Sequence, residues 1–116
     1  KEEQKINHIP NKNSTMIYKK IIEKINSISK INNINFSIVY LPSYERYRGD
    51  NYSELFRIVE TICDDLSINL ININKDVFEK QNDPMKLFPF NIYSHYNEKA
   101  YELIADVLFK NLRNFN

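Results

Sequence analysis

His95 is the residue of this chain whose side chain is best suited to transfer a proton near neutral pH. It follows an apolar segment that contains prolines, DPMKLFPFNIYS at residues 83–94, and it precedes a predicted amphipathic helix. The nearest upstream carboxylate is Asp83, which could orient an imidazole ring or could form the turn before Pro84. These residue types predict a general base on a loop, and the alternative is a histidine that only hydrogen-bonds within that loop.

A second group of chemically versatile side chains lies in residues 42–51, PSYERYRGDN. Tyr44, Arg46 and Arg48 place an aromatic ring beside guanidinium groups. Tyrosine rings stack on the apolar faces of sugars, and arginines bind oxyanions through two parallel hydrogen bonds. We therefore predict substrate contacts at these three residues and at Tyr93, with an ordinary solvated loop as the alternative.

Several other chemistries lack the residues that they require. The single glycine in 116 residues leaves no glycine-rich phosphate-binding loop, so we expect no nucleotide cofactor. His8 and His95 are far apart in the sequence and no carboxylates have ligand spacing, so we expect no metal site. The one cysteine, Cys63, falls in a predicted helix and is expected to be a buried, inert thiol.

Length and charge restrict the class of protein further. A chain of 116 residues is the size of one small domain. Sixteen basic and fifteen acidic residues leave a net charge of +1, which gives no electrostatic reason to expect nucleic acid or an anionic membrane as a partner. No apolar run approaches the length of a membrane span. Because the chain begins with Lys1, we expect it to be a piece of a longer protein, and its localisation stays open.

Three amphipathic segments predict the helices that position these residues, at about 13–31, 53–66 and 97–112. Asn13 or Ser14 is the expected cap of the first helix, and Asn97 that of the third. Their apolar stripes are expected to face the core: Ile17, Ile21, Ile25 and Ile28; then Leu55, Ile58, Val59, Ile62 and Leu66; then Tyr101, Ile104, Ala105, Leu108 and Leu112.

Two short apolar runs, FSIVYL at residues 36–41 and INLINI at 68–73, predict strands. Strand, helix and strand in this order predict a crossover connection and parallel pairing, with both faces of the sheet covered. We also expect a short helix or turn at 74–80 and a segment fixed to the core at 87–90. The predicted class is α/β, with a polar tail or linker at residues 1–12 and a single domain at 13–116.

The order DP, LF, HYN, Y and IA within residues 83–105 resembles the C-terminal block of the SGNH (GDSL-type) hydrolases. These are Ser/His/Asp esterases and acetyl transferases with a flavodoxin-like fold. The resemblance extends over about residues 14–112. It implies a three-layer, flavodoxin-like fragment in which a short parallel sheet is flanked by helices. It also implies that His95 is the catalytic base and that Asp83 orients its ring.

The chain departs from the family's pattern in three respects. No GDS-type block with the nucleophilic serine is present, and the family's oxyanion-hole residues come from segments that lie N-terminal to this one. Where the family places its aspartate, just before the histidine, this chain has Ile92 and Tyr93. The resemblance therefore implies the C-terminal half of such a domain, with the nucleophile missing or carried on another chain.

The implied function is that of part of a serine esterase or acetyl-transfer hydrolase acting on small-molecule or carbohydrate esters, plausibly O-acetyl groups. The alternative is a non-catalytic α/β binding or interaction module with a degenerate site. A third reading, a phosphate or nucleotide binder, is weakened by the shortage of glycine. An isolated half would have an open sheet edge and an exposed apolar face, so we expect self-association or pairing with the N-terminal half.

Overall fold

The computed structural model describes residues 10–49, 53–92 and 95–115. It contains the helices α1 (Lys12–Ile31), α2 (Ser53–Asp65), α3 (Ile73–Asp76) and α4 (Glu98–Leu112) and the strands β1 (Ser37–Tyr40) and β2 (Asn69–Asn72). Short 3-10 helices lie in the connections, at Tyr44–Arg48, Phe78–Lys80, Pro84–Leu87 and Pro89–Asn91, and follow α4 at Arg113–Phe115. The fold is mixed α/β and mostly helical, with a short two-stranded parallel sheet.

Capping side chains set the ends of the long helices. The side-chain oxygen of Asn11 accepts a hydrogen bond from the Ser14 amide at 2.8 Å, so α1 begins slightly before the predicted cap. Its first residue, Lys12, belongs to the range 1–12 that was predicted as a tail or linker. Residues 1–9 of that range lie outside the described part of the chain. The helix ends at Ile31, and the left-handed backbone of Asn33 follows it. Asn97 caps α4, also as predicted, and accepts a hydrogen bond from the Ala100 amide at 3.0 Å.

The parallel pairing of β1 and β2 confirms the prediction from the strand-helix-strand order. The register runs from Ser37 opposite Asn69 to Tyr40 opposite Asn72. Because side chains alternate along a strand, Ile38 and its partner Leu70 share one face of the sheet. Val39 and Ile71 share the other face. Each face contacts a different hydrophobic cluster.

The first cluster lies between the sheet and helices α1 and α2. Its buried members are Ile22, Ile62, Cys63 and Ile68, and Ile38 and Leu70 pack against them. Asn26 of α1 donates a hydrogen bond to the Leu66 carbonyl at 3.2 Å, and Lys19 forms an ion pair with Asp65 at 3.1 Å. Burial raises the pKa of the Cys63 thiol, which is 1% exposed. This cysteine has the burial that an inert thiol requires.

The second cluster, which we call the aromatic cluster, lies on the other face of the sheet beneath α4. Its buried members are Tyr44, Ile71, Ile73, Val77, Phe78, Leu87, Phe88, Ala100 and Ile104, with Tyr47 and Tyr96 packed against them. Phe78 is completely buried, and its ring lies 5.6 Å from that of Phe88. Val77, from the same segment 74–80, is also buried.

The direction predicted for the α1 stripe is wrong. Ile17, Ile21, Ile25 and Ile28 are all exposed, and the buried residues of α1 are Ile22 and Ser29. The buried residues Ile22 and Ser29 lie on a different side of the helix from these four exposed isoleucines. Within the described residues nothing covers the isoleucine side.

The α4 stripe and the segment before α4 need smaller corrections. Ile104 is buried as predicted and Leu108 packs on the aromatic cluster, but Tyr101, Ala105 and Leu112 are exposed. In the segment 87–90, Leu87 and Phe88 are buried, whereas Phe90 is 92% exposed because its left-handed backbone (φ +55°) turns the ring outward. In β1, Val39 is partly exposed, so that strand is not covered on both faces.

Candidate functional site

His95 lies on the short segment that connects the Pro84–Leu87 helix region to α4. Asn97 fixes one end of this segment through three hydrogen bonds. Its amide donates to the Leu87 carbonyl at 2.9 Å, its side-chain NH₂ donates to the Lys86 carbonyl at 2.7 Å, and its side-chain oxygen caps α4. The backbone two residues after His95 is therefore rigidly held.

Tyr96 fixes the residue adjacent to His95. Its ring packs on Phe78 at 5.3 Å and on Phe88 at 5.4 Å, and its hydroxyl donates a hydrogen bond to the Pro42 carbonyl. Burial raises the pKa of the Tyr96 phenol, so the hydroxyl stays protonated and remains a donor. Pro42 follows β1, so the Tyr96 hydroxyl lies at the carboxyl end of that strand, and the side chain of the adjacent His95 is exposed.

Asp83 occupies a structural position. Its side-chain oxygen accepts a hydrogen bond from the Met85 amide at 3.1 Å, which caps the Pro84–Leu87 helix. Asp83 and His95 are both exposed, and in the described part of the chain they share no hydrogen bond. The structure therefore shows no assembled histidine–aspartate pair. Tyr93, the other residue predicted beside the histidine, lies outside the described residues.

The predicted substrate contacts of the loop after β1 are engaged within the fold. Tyr44 is only 7% exposed, and its ring meets that of Phe88 edge-on at 5.2 Å. Arg46 donates a hydrogen bond to the Tyr40 hydroxyl at 3.0 Å, and its guanidinium also lies over the Phe56 ring. Arg48 is exposed and lies 5.8 Å from the centre of the Tyr44 ring. Of these side chains, Arg48 is the most accessible to a ligand.

A buried hydrogen-bond chain that sequence reasoning did not find lies behind this loop. The Tyr47 hydroxyl donates to the side-chain oxygen of Asn74 at 2.6 Å, and the Asn74 NH₂ donates to Glu79 at 2.6 Å. Asn74 is only 3% exposed, and Tyr47 stacks on Phe78. Burial raises the pKa of the Tyr47 phenol. The available signal was a polar residue directly after the apolar run 68–73.

The surface around these residues is shallow. One open groove of about 300 Å³ lies between α1 and α2 and is lined in part by Thr15, Lys19, Arg57 and Asp65. Another lies along the first turn of α4. His95 lines neither groove. Within residues 10–49, 53–92 and 95–115, no group of three or more His, Cys, Asp or Glu side chains could hold a metal ion.

No helix in the described part of the chain is long and apolar enough to cross a membrane. No protein-family model, no curated protein and no solved structure matches the chain. The candidate site is thus defined by its own geometry. It consists of an accessible imidazole shortly before a capped helix, next to a tyrosine whose hydroxyl bonds to the carboxyl end of a parallel strand.

Proposed function

We propose that this chain is the C-terminal part of an SGNH-like serine esterase or acetyl-transfer domain in which His95 is the general base. One observation carries this proposal, namely the position of His95. Its side chain is exposed, Asn97 anchors the backbone that follows it, and the hydroxyl of the adjacent Tyr96 bonds to Pro42 at the carboxyl end of β1. Open α/β sheets bind ligands at that edge. A rigid backbone with an accessible imidazole is what a general base requires.

The proposed fold is three-layered and flavodoxin-like, with more of the sheet on the free side of β1. Two features support it. The clusters on the two faces of the sheet involve different helices, α1 and α2 on one face and α4 on the other. Exposed apolar side chains also remain on both α1 and α4, where further elements of such a domain would pack.

In the proposed reaction, a serine from another part of the domain attacks the ester carbonyl while the His95 ring takes the hydroxyl proton. The ring then gives this proton to the departing alcohol, which leaves an acyl-serine. Water attacks that acyl group with the same ring as base, the ring returns the proton to the serine oxygen as the acyl–oxygen bond breaks, and the acid is released. The substrate class is a small-molecule or carbohydrate ester, and the exposed guanidinium of Arg48 is a candidate contact for its oxygens.

Labelling with a fluorophosphonate serine-hydrolase probe tests this proposal on the full-length polypeptide that contains the chain. We expect labelling of the unmodified protein, and for His95→Ala a labelling rate at least about 100-fold lower, because the serine loses its base. His8→Ala is the matched control and should label normally. Absence of labelling in a protein shown to be folded, or full labelling of His95→Ala, would contradict the proposal.

Asp83 is the proposed orienter of the ring, and one of its carboxylate oxygens also accepts the hydrogen bond of the Met85 amide. Asp83→Asn separates the two roles of this carboxylate. Asparagine still provides a capping oxygen but removes the negative charge. We expect Asp83→Asn to slow labelling while leaving the unfolding midpoint unchanged. A normal labelling rate in Asp83→Asn would show that Asp83 only stabilises the turn and does not orient the His95 ring.

A non-catalytic interaction module is the second candidate function. The observation that favours it is that Tyr44, Arg46 and Asp83 all make contacts within the fold, while His95 lies outside both grooves. In that case the probe labels neither the unmodified protein nor His95→Ala, although circular dichroism shows both to be folded.

A further inference from the structure

Exposed apolar side chains are concentrated on α1 and the residues that follow it. We call this group the isoleucine surface; each member is between 40% and 80% exposed: Met16, Ile17, Ile21, Ile25, Ile28, Ile31 and Ile34. At these exposures the seven side chains leave on the order of 500 Å² of apolar area uncovered. A standard interface buries about 800 Å² per partner, and in homodimers about two-thirds of it is apolar. The isoleucine surface therefore supplies the apolar area that a stable dimer needs.

The spacing along α1 fits pairing with a copy of itself. Four isoleucines and one lysine recur at alternating intervals of four and three residues, which is the seam of a coiled coil: Ile17, Ile21, Lys24, Ile28 and Ile31. When α1 is read from its C-terminus to its N-terminus, the intervals between these residues still alternate between three and four. Two copies that are antiparallel about a two-fold axis can therefore interdigitate the same residues.

Charge disfavours a parallel pair in register. α1 contains five lysines and a single glutamate, and Lys24 lies within the seam. A parallel pair in register would place Lys24 against Lys24 of the other copy, which is repulsive. In an antiparallel pair with staggered layers, Lys24 instead lies against Ile21 or Ile28 of the other copy. Its long stem can then cover apolar surface while the ammonium reaches water.

The edge of β1 gives an independent reason for a protein partner. Among the described residues, β1 pairs with β2 alone, so its other edge has backbone groups with no strand beside them. Lipid could cover the isoleucines but could not hydrogen-bond that backbone edge. A two-fold axis perpendicular to the sheet would place β1 antiparallel to β1 of the other copy and α1 antiparallel to α1.

We propose that the isoleucine surface is the interface of an isologous homodimer of this 116-residue chain. α1 packs antiparallel on α1 of the second copy, and the two β1 strands meet edge to edge. In the longer polypeptide of the proposed function, the rest of the domain would cover this same surface, so the dimer is proposed for the 116-residue chain by itself. The probe-labelling test uses the longer polypeptide and the dimer test uses this chain, so failure of either test leaves the other result unchanged.

Sedimentation velocity on the 116-residue chain tests the dimer. We expect a species of 27.8 kDa, twice the chain mass of 13.9 kDa, at micromolar concentration. Ile28→Lys places a charge in the seam and should give a monomer with at least about a tenfold higher dissociation constant. Leu112→Lys is the matched control: Leu112 is 49% exposed on α4, against 50% for Ile28, and this variant should remain a dimer.

Cross-linking tests the arrangement without placing a charge in the interface. A short bismaleimide should join two copies of Lys24→Cys, which lie close to the two-fold axis. It should not join two copies of Ile17→Cys, because their backbones are roughly 15–25 Å apart in the staggered antiparallel pair. The unmodified protein should not cross-link, since its only cysteine, Cys63, is buried.

A monomeric unmodified chain at tens of micromolar would overturn the homodimer, as would equal loss of the dimer in Ile28→Lys and Leu112→Lys. Efficient cross-linking of Ile17→Cys to itself would also overturn the antiparallel arrangement. A monomer that floats with vesicles of phosphatidylcholine and phosphatidylglycerol would assign the isoleucine surface to lipid instead.

Discussion

At the scale of single residues, Asn74 shows how a polar side chain is accommodated in the interior. Its amide oxygen and its amide nitrogen each have a hydrogen-bond partner, in Tyr47 and Glu79. When a buried polar group loses its hydrogen-bond partner, the protein loses more stability than the bond had contributed. The reason is that the buried group cannot bond to water in place of its partner. Asn74 therefore fixes the position of α3 relative to the loop after β1.

Asn74→Ala should lower the free energy of unfolding by about 1–3 kcal/mol, because it leaves the Tyr47 hydroxyl without its acceptor. Asn69→Ala is the control. Asn69 is an exposed residue of β2 whose side chain donates to Ser37, and its loss should cost less than about 0.5 kcal/mol. Urea unfolding followed by circular dichroism measures both. Equal losses in the two variants would show that the buried hydrogen bonds of Asn74 contribute no more stability than the exposed hydrogen bond of Asn69.

The residue types at the candidate site could be read from the sequence, but their roles could not. His95 was predicted on a loop before the last helix, and the structure places it there. Tyr44 and Arg46 have the residue types of a ligand site, yet their side chains pack on Phe88, Tyr40 and Phe56. Whether an aromatic ring contacts ligand or core depends on which distant element meets it, and local spacing carries no such information.

At the scale of elements, the two capping asparagines of the long helices differ in what else they hold. Asn11 caps α1 at an exposed position, with its side-chain oxygen as the capping atom. Asn97 caps α4 and also ties it to the Pro84–Leu87 helix through two further hydrogen bonds. Asn97 therefore connects α4 to a second helix, whereas Asn11 only caps α1.

We expect Asn97→Ala to cost roughly 2 kcal/mol of stability, about 1 for the cap and about 1 for the side-chain bond to the Lys86 carbonyl. Asn11→Ala removes a cap alone and should cost about 1 kcal/mol. The difference between the two variants in urea unfolding is the informative quantity. A loss for Asn97→Ala no larger than that for Asn11→Ala would show that the Lys86 bond adds no stability.

The sequence predicted the bounds of the helices and strands closely but misjudged the direction of two helices. Apolar periodicity fixes the existence of α1 and α4, because it is a property of each helix alone. Which part of an apolar stripe becomes buried depends on the neighbours that a helix meets. α1 meets α2 through Ile22 and Asn26, so Ile21 and Ile28, which belong to the predicted stripe, stay exposed.

At the scale of the whole molecule, Tyr47 and Tyr96 connect global stability to alkaline pH. Burial raises the pKa of both phenols above the ordinary value of about 10. A group whose pKa is higher in the folded state contributes stability that is complete below the unfolded pKa. That stability is lost as the pH rises above about 10, because the unfolded chain then ionises first.

The urea midpoint should therefore be lower at about pH 11 than at about pH 7, and Cys63 and Tyr18, whose pKa values burial also raises, add to this fall. Tyr47 and Tyr96 each account for at most about 1.4 kcal/mol per pH unit. Tyr96→Phe should show a smaller fall between these pH values than the unmodified protein. An equal pH dependence in Tyr96→Phe and the unmodified protein would exclude a contribution from Tyr96.

The parallel pairing of β1 with β2 also has a kinetic consequence. Ser37 pairs with Asn69, 32 residues later (69 − 37), so the sheet cannot form until the chain between them has closed into a loop. Helices α1 and α2 need only local contacts and can form first. During folding, the isoleucines of α1 are then exposed before the strand edges are organised. Aggregation during refolding should therefore compete with productive folding most strongly at high protein concentration.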